Sequence, residues 1–169
     1  MADVLVAYFS RSGVTERLAV QLAAKLGADV EPVKPLAPYA GAGGYLKGVW
    51  HSLFRRTPLV DCRRDPADYA VVIIGSPVWA GRLSAPMRSY LARFRGRIGS
   101  VAAFWVSGSG LAYKAVSGEI ERLTGRAPLA TASLAERDAG TGVADAKLEA
   151  LAQVLRTALS KTSSTSSLT

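Results

Sequence analysis

Three stretches of the chain are apolar at almost every position rather than at alternate positions. They are residues 3–9 (DVLVAYF), 69–75 (YAVVIIG) and 101–106 (VAAFWV). Continuous apolar runs of this length are typical of strands that are buried on both faces, as in a parallel sheet covered by helices. The shorter segments 28–33 and 129–134 have the composition of two further strands. The pattern therefore predicts five strands.

Between these strands, apolar residues recur every three or four positions, which is the spacing of one helical face. Segments with this spacing are residues 14–26, a helix that begins at Pro86, a helix that ends near Thr124, and a last helix marked by leucines between 148 and 159. Residues 45–56, in the longest connection, have it as well. Because strands and helices alternate, we predict an α/β fold with a doubly wound five-stranded parallel sheet.

The length of 169 residues is that of one domain. We assign residues 1–160 to this domain. Residues 161–169 (KTSSTSSLT) are rich in serine and threonine, and we predict that they form a disordered tail.

The loop after the first strand has the residue types of an anion site. It consists of Ser10, Arg11, Ser12, Gly13, Val14 and Thr15 and leads directly into a predicted helix. The free N–H groups and the dipole of a helix N-terminus favour a bound anion, and the three hydroxyls add donors. The alternative is that the hydroxyls only cap the helix, but capping needs one hydroxyl. We therefore predict a phosphate site.

Two other predicted strands also end in unusual loops. Residues 76–82 (SPVWAGR) follow the third strand and read as a loop that contains a tryptophan, whereas residues 107–110 (SGSG) follow the fourth strand. In open parallel sheets, ligands bind at the carboxyl ends of the strands, at a topological switch point. We expect the three loops to converge on one crevice.

Composition and charge exclude only a few classes of function. The formal net charge is +8, carried mostly by arginine, but the sequence contains no recognisable nucleic-acid-binding module, and we expect no nucleic-acid partner. Cys62 is the one cysteine, which excludes an internal disulfide. The N-terminus enters a strand without the features of a secretory signal. These observations favour a cytoplasmic protein.

Several phosphate-handling classes do not fit the loops. The first strand is not followed by the acidic cluster of a response regulator, and no Cys-x5-Arg loop of a low-molecular-weight phosphatase is present. The Gly-Lys-Ser/Thr of a P-loop NTPase is also absent from the sequence. The glycines at 41–44 follow no strand, so we reject a dinucleotide-binding motif there. No catalytic acid–base pair or set of metal ligands stands out.

The three loops resemble those of the flavodoxin family. Residues 8–15 (YFSRSGVT) look like its phosphate loop, residues 75–81 (GSPVWAG) like its second, ring-contacting loop, and residues 107–111 (SGSGL) like its third. The resemblance runs in order from about residue 3 to residue 160. It implies a flavodoxin-like strand order of 2-1-3-4-5 and FMN as the cofactor.

The resemblance also implies a role for each loop. The hydroxyls of Ser10, Ser12 and Thr15, with the N–H groups of Arg11, Gly13 and Val14, would hold the phosphate. Pro77, Val78, Trp79, Ala80 and Gly81 would border the isoalloxazine ring, which Trp79 would stack on or shield. Ser107, Gly108, Ser109 and Gly110 would approach the other edge of the ring, with Tyr113 as a weaker candidate. The alternative for Trp79 is a core tryptophan.

By this resemblance the chain is an FMN-dependent oxidoreductase or an electron-transfer flavoprotein, either a carrier or an NAD(P)H or quinone reductase. Flavodoxins that act as carriers are typically acidic, so the basic charge here implies an acidic redox partner or another role. Arg82, Arg88, Arg93, Arg95 and Arg97 flank the second loop and could bind such a partner or an NADPH phosphate, or could simply be solvated.

Two other functions remain open at this point. A flavin-free domain that binds a phosphate ligand or another protein could have the same fold. A basic, aromatic stretch at residues 47–56 resembles an interfacial helix, although such stretches more often pack on a sheet. Association with a membrane is therefore the less favoured interpretation.

Overall fold

A computed structural model describes residues 2–36 and 59–166. The strands are β1 (Val4–Tyr8), β2 (Asp29–Pro32), β3 (Lys34–Pro35), β4 (Val60–Asp61), β5 (Val71–Trp79), β6 (Arg82–Leu83), β7 (Val101–Ser107) and β8 (Thr131–Ala135). The α-helices are α1 (Val14–Leu26), α2 (Ala85–Arg93), α3 (Lys114–Thr124) and α4 (Gly142–Ser166). Short 3-10 turns lie at Pro66–Asp68 and Glu136–Asp138. The helix and the interfacial stretch predicted between residues 45 and 56 lie outside the described residues.

The central sheet confirms the predicted fold class. Its parallel strands have the order β2-β1-β5-β7-β8, which is the predicted order 2-1-3-4-5. Strand β6 adds an antiparallel partner to the end of β5, and β3 pairs with β4 in a separate two-stranded sheet. The strand order reverses between β1 and β5, so the topological switch point lies there.

Apolar side chains cover both faces of the sheet, which explains the continuous apolar runs. In β1, Val4 and Val6 belong to one hydrophobic cluster and Leu5 and Ala7 to the other. The first cluster includes apolar residues of α1 and α4, and the second includes apolar residues of α2 and α3. Helices therefore lie on both sides of the sheet, as a doubly wound fold requires.

The segment predicted as the second loop is partly strand. Strand β5 continues through Pro77 and Val78 to Trp79, and Trp79 pairs with Arg82 across a hairpin. The sequence prediction was wrong here because proline and glycine suggested a loop. Pro77 nevertheless takes a register position beside Val106 of β7, and a proline is tolerated near a strand end, where fewer N–H donors are needed.

Smaller differences concern element bounds. The strands β3 and β4, at the two ends of the longest connection, were not predicted. Strand β8 begins at Thr131 rather than at residue 129. Helix α4 continues to Ser166, beyond the predicted end of the domain at residue 160, and residues 167–169 lie outside the described residues.

Gly75 provides a stability test of the packing between β5 and β7. A Cβ atom at this position would lie 2.6 Å from Cζ of Phe104, inside the core. We expect Gly75→Ala to lower the free energy of unfolding by about 1–3 kcal/mol, the usual cost of overpacking a core. Chemical denaturation measures this change.

Gly118→Ala is the matched control. Gly118 lies on the exposed face of α3, and a Cβ added there would have no atom within 4 Å. The same substitution should therefore stabilise the protein by about 0.5–1 kcal/mol through helix propensity. Equal effects of the two substitutions would contradict the close packing at Gly75.

Tyr8 gives a pH-dependent test at the end of β1. Its hydroxyl donates a hydrogen bond to Glu16 of α1 at 3.0 Å. Burial and this hydrogen bond raise the pKa of Tyr8 from 10.0 to about 12. Because the neutral phenol is favoured in the folded state, its stabilisation is complete below pH 10 and is lost as the pH rises from 10 to about 12.

The measurement compares the wild type with Tyr8→Phe by denaturation across this alkaline range. We expect the unfolding free energy of the wild type to fall relative to that of Tyr8→Phe as the pH rises. A difference that does not depend on pH would contradict the raised pKa.

Candidate functional site

A cleft of about 240 Å³ lies at the carboxyl edge of the sheet. It is lined by Arg11, Ser12, Val14, Thr15, Pro77, Val78, Trp79, Val106, Ser107, Gly108 and Glu136. The lining thus comes from the ends of β1, β5, β7 and β8. The three loops that the sequence predicted to converge meet here.

The first loop is shaped by Gly13. This residue has φ = 85°, a left-handed conformation that glycine adopts without strain. Its N–H donates to Oγ of Ser10 at 3.0 Å, and its carbonyl accepts the N–H of Arg17 at 3.1 Å. The first N–H groups of a helix have no acceptor within the helix. Since Val14 and Thr15 both line the cleft, the N-terminus of α1 lies beside it.

The second loop is the tight turn of the β5–β6 hairpin. Ala80 has φ = 51° and Gly81 has φ = 72°, the pair of positive values that a two-residue type I′ turn requires. Ala80 is the one non-glycine residue with positive φ among the described residues. Such a conformation costs free energy and is found preferentially at functional sites.

Trp79 belongs to the core and to the cleft at once. It is 5% exposed, and its ring meets that of Phe9 edge to face, with 5.5 Å between the centroids. It also lines the cleft. The sequence treated a core role and a cleft role as alternatives, whereas the geometry combines them. Trp105, which lies in the buried strand predicted at residues 101–106, is 3% exposed and packs in the same cluster.

Buried hydroxyls fix the base of the hairpin. The Oγ atoms of Ser76 and Ser84 lie 2.9 Å apart, and the N–H of Ser84 donates to Oγ of Ser76 at 3.3 Å. Ser76 also donates to the carbonyl of Pro77 at 2.9 Å. Both serines are at most 1% exposed, so these bonds hold the two strands together without competition from water.

A buried carboxylate joins the hairpin to the helices. Glu119 of α3 accepts the N–H of Leu83 at 3.2 Å and lies 3.8 Å from the guanidinium of Arg88. The side chains of Arg88 and Glu119 are 4% and 5% exposed. Arg88 was predicted to belong to an arginine-rich flank that either binds a partner or an NADPH phosphate or is simply solvated. That prediction was wrong for Arg88, because it is buried in an ion pair.

The third loop closes on itself and on β8. Ser107 accepts the N–H of Gly110 at 2.9 Å, and Ser109 shares a 3.2 Å hydrogen bond with the hydroxyl of Tyr113. A Cβ at Gly110 would lie 2.9 Å from that of Ala135. The loop is therefore held closely against the end of β8.

The predicted site residues divide into two groups. The lining includes the predicted residues Arg11, Ser12, Val14, Thr15, Pro77, Val78, Trp79, Ser107 and Gly108. The other seven predicted residues are not among those that line this cleft: Ser10, Gly13, Ala80, Gly81, Ser109, Gly110 and Tyr113. The geometry therefore brings the three loops together, with nine of the predicted residues in the lining.

Glu136 and Val106 line the cleft and were not predicted. Val106 is the last apolar residue of a predicted strand. Oγ of Ser12 donates to Oε1 of Glu136 at 3.5 Å, a long contact between two exposed groups. The position of Glu136 in the sequence could have identified it as a cleft residue. It directly follows the fifth strand of the central sheet and therefore had to lie at the same sheet edge as the other loops.

The described part of the chain lacks two kinds of feature. No group of three or more His, Cys, Asp or Glu residues there could hold a metal ion. None of the helices described is long and apolar enough to cross a membrane.

The chain is similar to known flavoproteins. A family model described as Flavodoxin matches residues 3–117, which include the three predicted loops. Comparison with curated proteins gives no match. Among solved structures, a flavoprotein from Lactobacillus acidophilus in complex with FMN is 23% identical with a TM-score of 0.68, covering 82% of this chain and 95% of that chain.

Two further structures share the fold. Oxidised flavodoxin 2 from Bacillus cereus is 18% identical with a TM-score of 0.55, covering 90% of this chain and 97% of that chain. The rubredoxin:oxygen oxidoreductase of Desulfovibrio gigas is 19% identical with a TM-score of 0.57, covering 95% of this chain and 37% of that chain. With the family match over residues 3–117, the conclusion is that this chain belongs to the flavodoxin family.

Proposed function

We propose that the chain binds FMN in the cleft at the carboxyl edge of the sheet and acts as a redox protein. The observation that carries this proposal is the convergence of three loops at one cleft: a hydroxyl-rich helix N-terminus, a hairpin with a buried tryptophan, and a Ser/Gly loop. The flavoprotein from Lactobacillus acidophilus, which shares the fold, was solved with FMN.

The first loop fits a phosphate group. Ser12 and Thr15 line the cleft beside the N-terminus of α1. Their hydroxyls can donate hydrogen bonds to phosphate oxygens, and the helix dipole favours the negative charge. Gly13 gives the loop its left-handed turn, and Ser10 fixes that turn by accepting the N–H of Gly13.

The second and third loops fit a flat aromatic ring system. Pro77, Val78 and Trp79 give one side of the cleft an apolar surface, and Ser107 and Gly108 form another side with little side-chain bulk. The bound flavin would supply one- and two-electron chemistry, while the protein would orient the ring and limit its contact with water. The buried anchors at Ser76 and Glu119 would keep this surface rigid.

The net charge of the chain bears on the choice of redox partner. A net charge of +8 favours an acidic redox protein as the partner, through complementary potentials. The alternative partners are small reductants and oxidants, namely NAD(P)H or a quinone, in which case the protein is a reductase rather than a carrier. We propose a cytoplasmic location, which the half-buried free thiol of Cys62 supports.

The first test is the visible absorption spectrum of the purified protein, recorded before and after FMN is added. We expect the bands of an oxidised flavin at one FMN per chain. Anaerobic titration with NADPH then distinguishes the two roles, since a reductase is reduced directly and a carrier is reduced only through a partner. A colourless protein that does not bind FMN would contradict the redox function and favour a flavin-free binding domain.

Thr15→Val tests the phosphate contact. Thr15 is 3% exposed, and valine keeps its shape while removing the hydroxyl. Loss of a hydrogen bond to a charged group costs about 1.5–3 kcal/mol, so the Kd for FMN should rise roughly 10- to 100-fold. The Kd for riboflavin, which has no phosphate, should change little. Both constants can be measured by titration of flavin fluorescence.

Thr157→Val is the control, because Thr157 is an exposed threonine of α4 far along the chain from the cleft residues. It should leave both constants unchanged. An equal loss of affinity for FMN and riboflavin in Thr15→Val would indicate a general disturbance of the site and not a phosphate contact.

A further inference from the structure

Glu136 places a carboxylate beside the hydroxyl-rich loop. It begins the 3-10 turn that follows β8, and it lines the cleft together with Ser12 and Thr15. Its Oε1 lies 3.5 Å from Oγ of Ser12. The family match ends at residue 117, so Glu136 lies outside the region that the family model covers.

The fold itself determines where this carboxylate lies. Gly110, at φ = 69°, packs so closely on the end of β8 that a Cβ there would lie 3.0 Å from the backbone nitrogen of Ala135. Leu134 and Ala135 are 1% and 2% exposed. Since the preceding backbone is buried and held by the third loop, Glu136 leaves the sheet at the cleft.

Charged groups of both signs line the cleft in which a phosphate would bind. Arg11 lines the cleft together with Glu136 and adds a positive charge to that of the N-terminus of α1. A bound phosphate would therefore meet cationic groups, hydroxyls and a carboxylate within one small cleft.

From this arrangement we propose that Glu136 determines how strongly the site discriminates between phosphorylated and unphosphorylated flavin. This inference rests on the proposed function. The carboxylate of Glu136 competes with the phosphate for the Ser12 hydroxyl and also repels the phosphate. Glu136 therefore weakens the binding of FMN and leaves the binding of riboflavin nearly unchanged. Glu136 is thus a specificity-determining residue whose effect opposes that of Ser12 and Thr15.

The test replaces the charge and keeps the shape, with Glu136→Gln. Flavin fluorescence titrations give the Kd values of FMN and riboflavin for the wild type and the variant at low ionic strength. We expect FMN to bind about three- to tenfold more tightly to the variant. The gain comes from removing the repulsion between one carboxylate and a phosphate that carries nearly two negative charges, in a water-like dielectric. Riboflavin should change less than about twofold, and high salt should reduce the gain for FMN.

The control is Glu121→Gln, which removes an exposed glutamate of α3 that does not line the cleft. It corrects for the change in net charge and should leave the ratio of the two Kd values at its wild-type value. An unchanged FMN affinity in Glu136→Gln, or an equal gain for both flavins, would overturn the inference while leaving FMN binding intact. Failure of all three proteins to bind either flavin would instead overturn the proposed function, and the inference with it.

Discussion

The parallel pairing of β1 with β5 is the constraint on which the cleft depends. Tyr8 is in register with Gly75, and the N–H of Phe9 donates to the carbonyl of Gly75 at 3.0 Å. Strand β1 therefore ends level with Gly75, and the loop that follows it must lie beside the last four residues of β5. Strand β7 extends this alignment, since Pro77 is in register with Val106. Any slip of one strand would separate the hydroxyls of the first loop from the tryptophan of the second.

The buried polar groups near this edge serve the same constraint. Burying the ion pair of Arg88 and Glu119 costs desolvation energy, and such pairs often contribute little net stability. Here Glu119 also accepts the N–H of Leu83, so the pair fixes where the hairpin lies relative to α2 and α3. The hydroxyls of Ser76 and Ser84 do the same at the base of the hairpin. These buried contacts therefore fix the position of the hairpin relative to α2, α3 and the end of β5.

The sequence predicted those features that depend on local pattern. Helix α1 spans the predicted residues, because its apolar spacing and Gly27 define both ends. The sequence could not predict features that depend on contacts between residues far apart in the chain. Arg88 is buried and forms an ion pair with Glu119, which lies on another helix, and Trp79 pairs with Arg82 across the hairpin. Glu136 reaches the cleft only because β8 takes the edge position beside β7. For Arg88 and Trp79 the residue type suggested solvent or a loop, and tertiary packing decided otherwise.

The double role of Trp79 couples the proposed ligand site to the core. Its ring packs on Phe9, which follows β1 and precedes the hydroxyl-rich loop. The apolar surface offered to a ring system is therefore part of the same packed cluster that holds α2 and α3 to the sheet. Interiors of this density deform little, so the cleft has its shape before a ligand arrives. A ligand that binds this folded shape and not the unfolded chain therefore stabilises the whole domain by mass action.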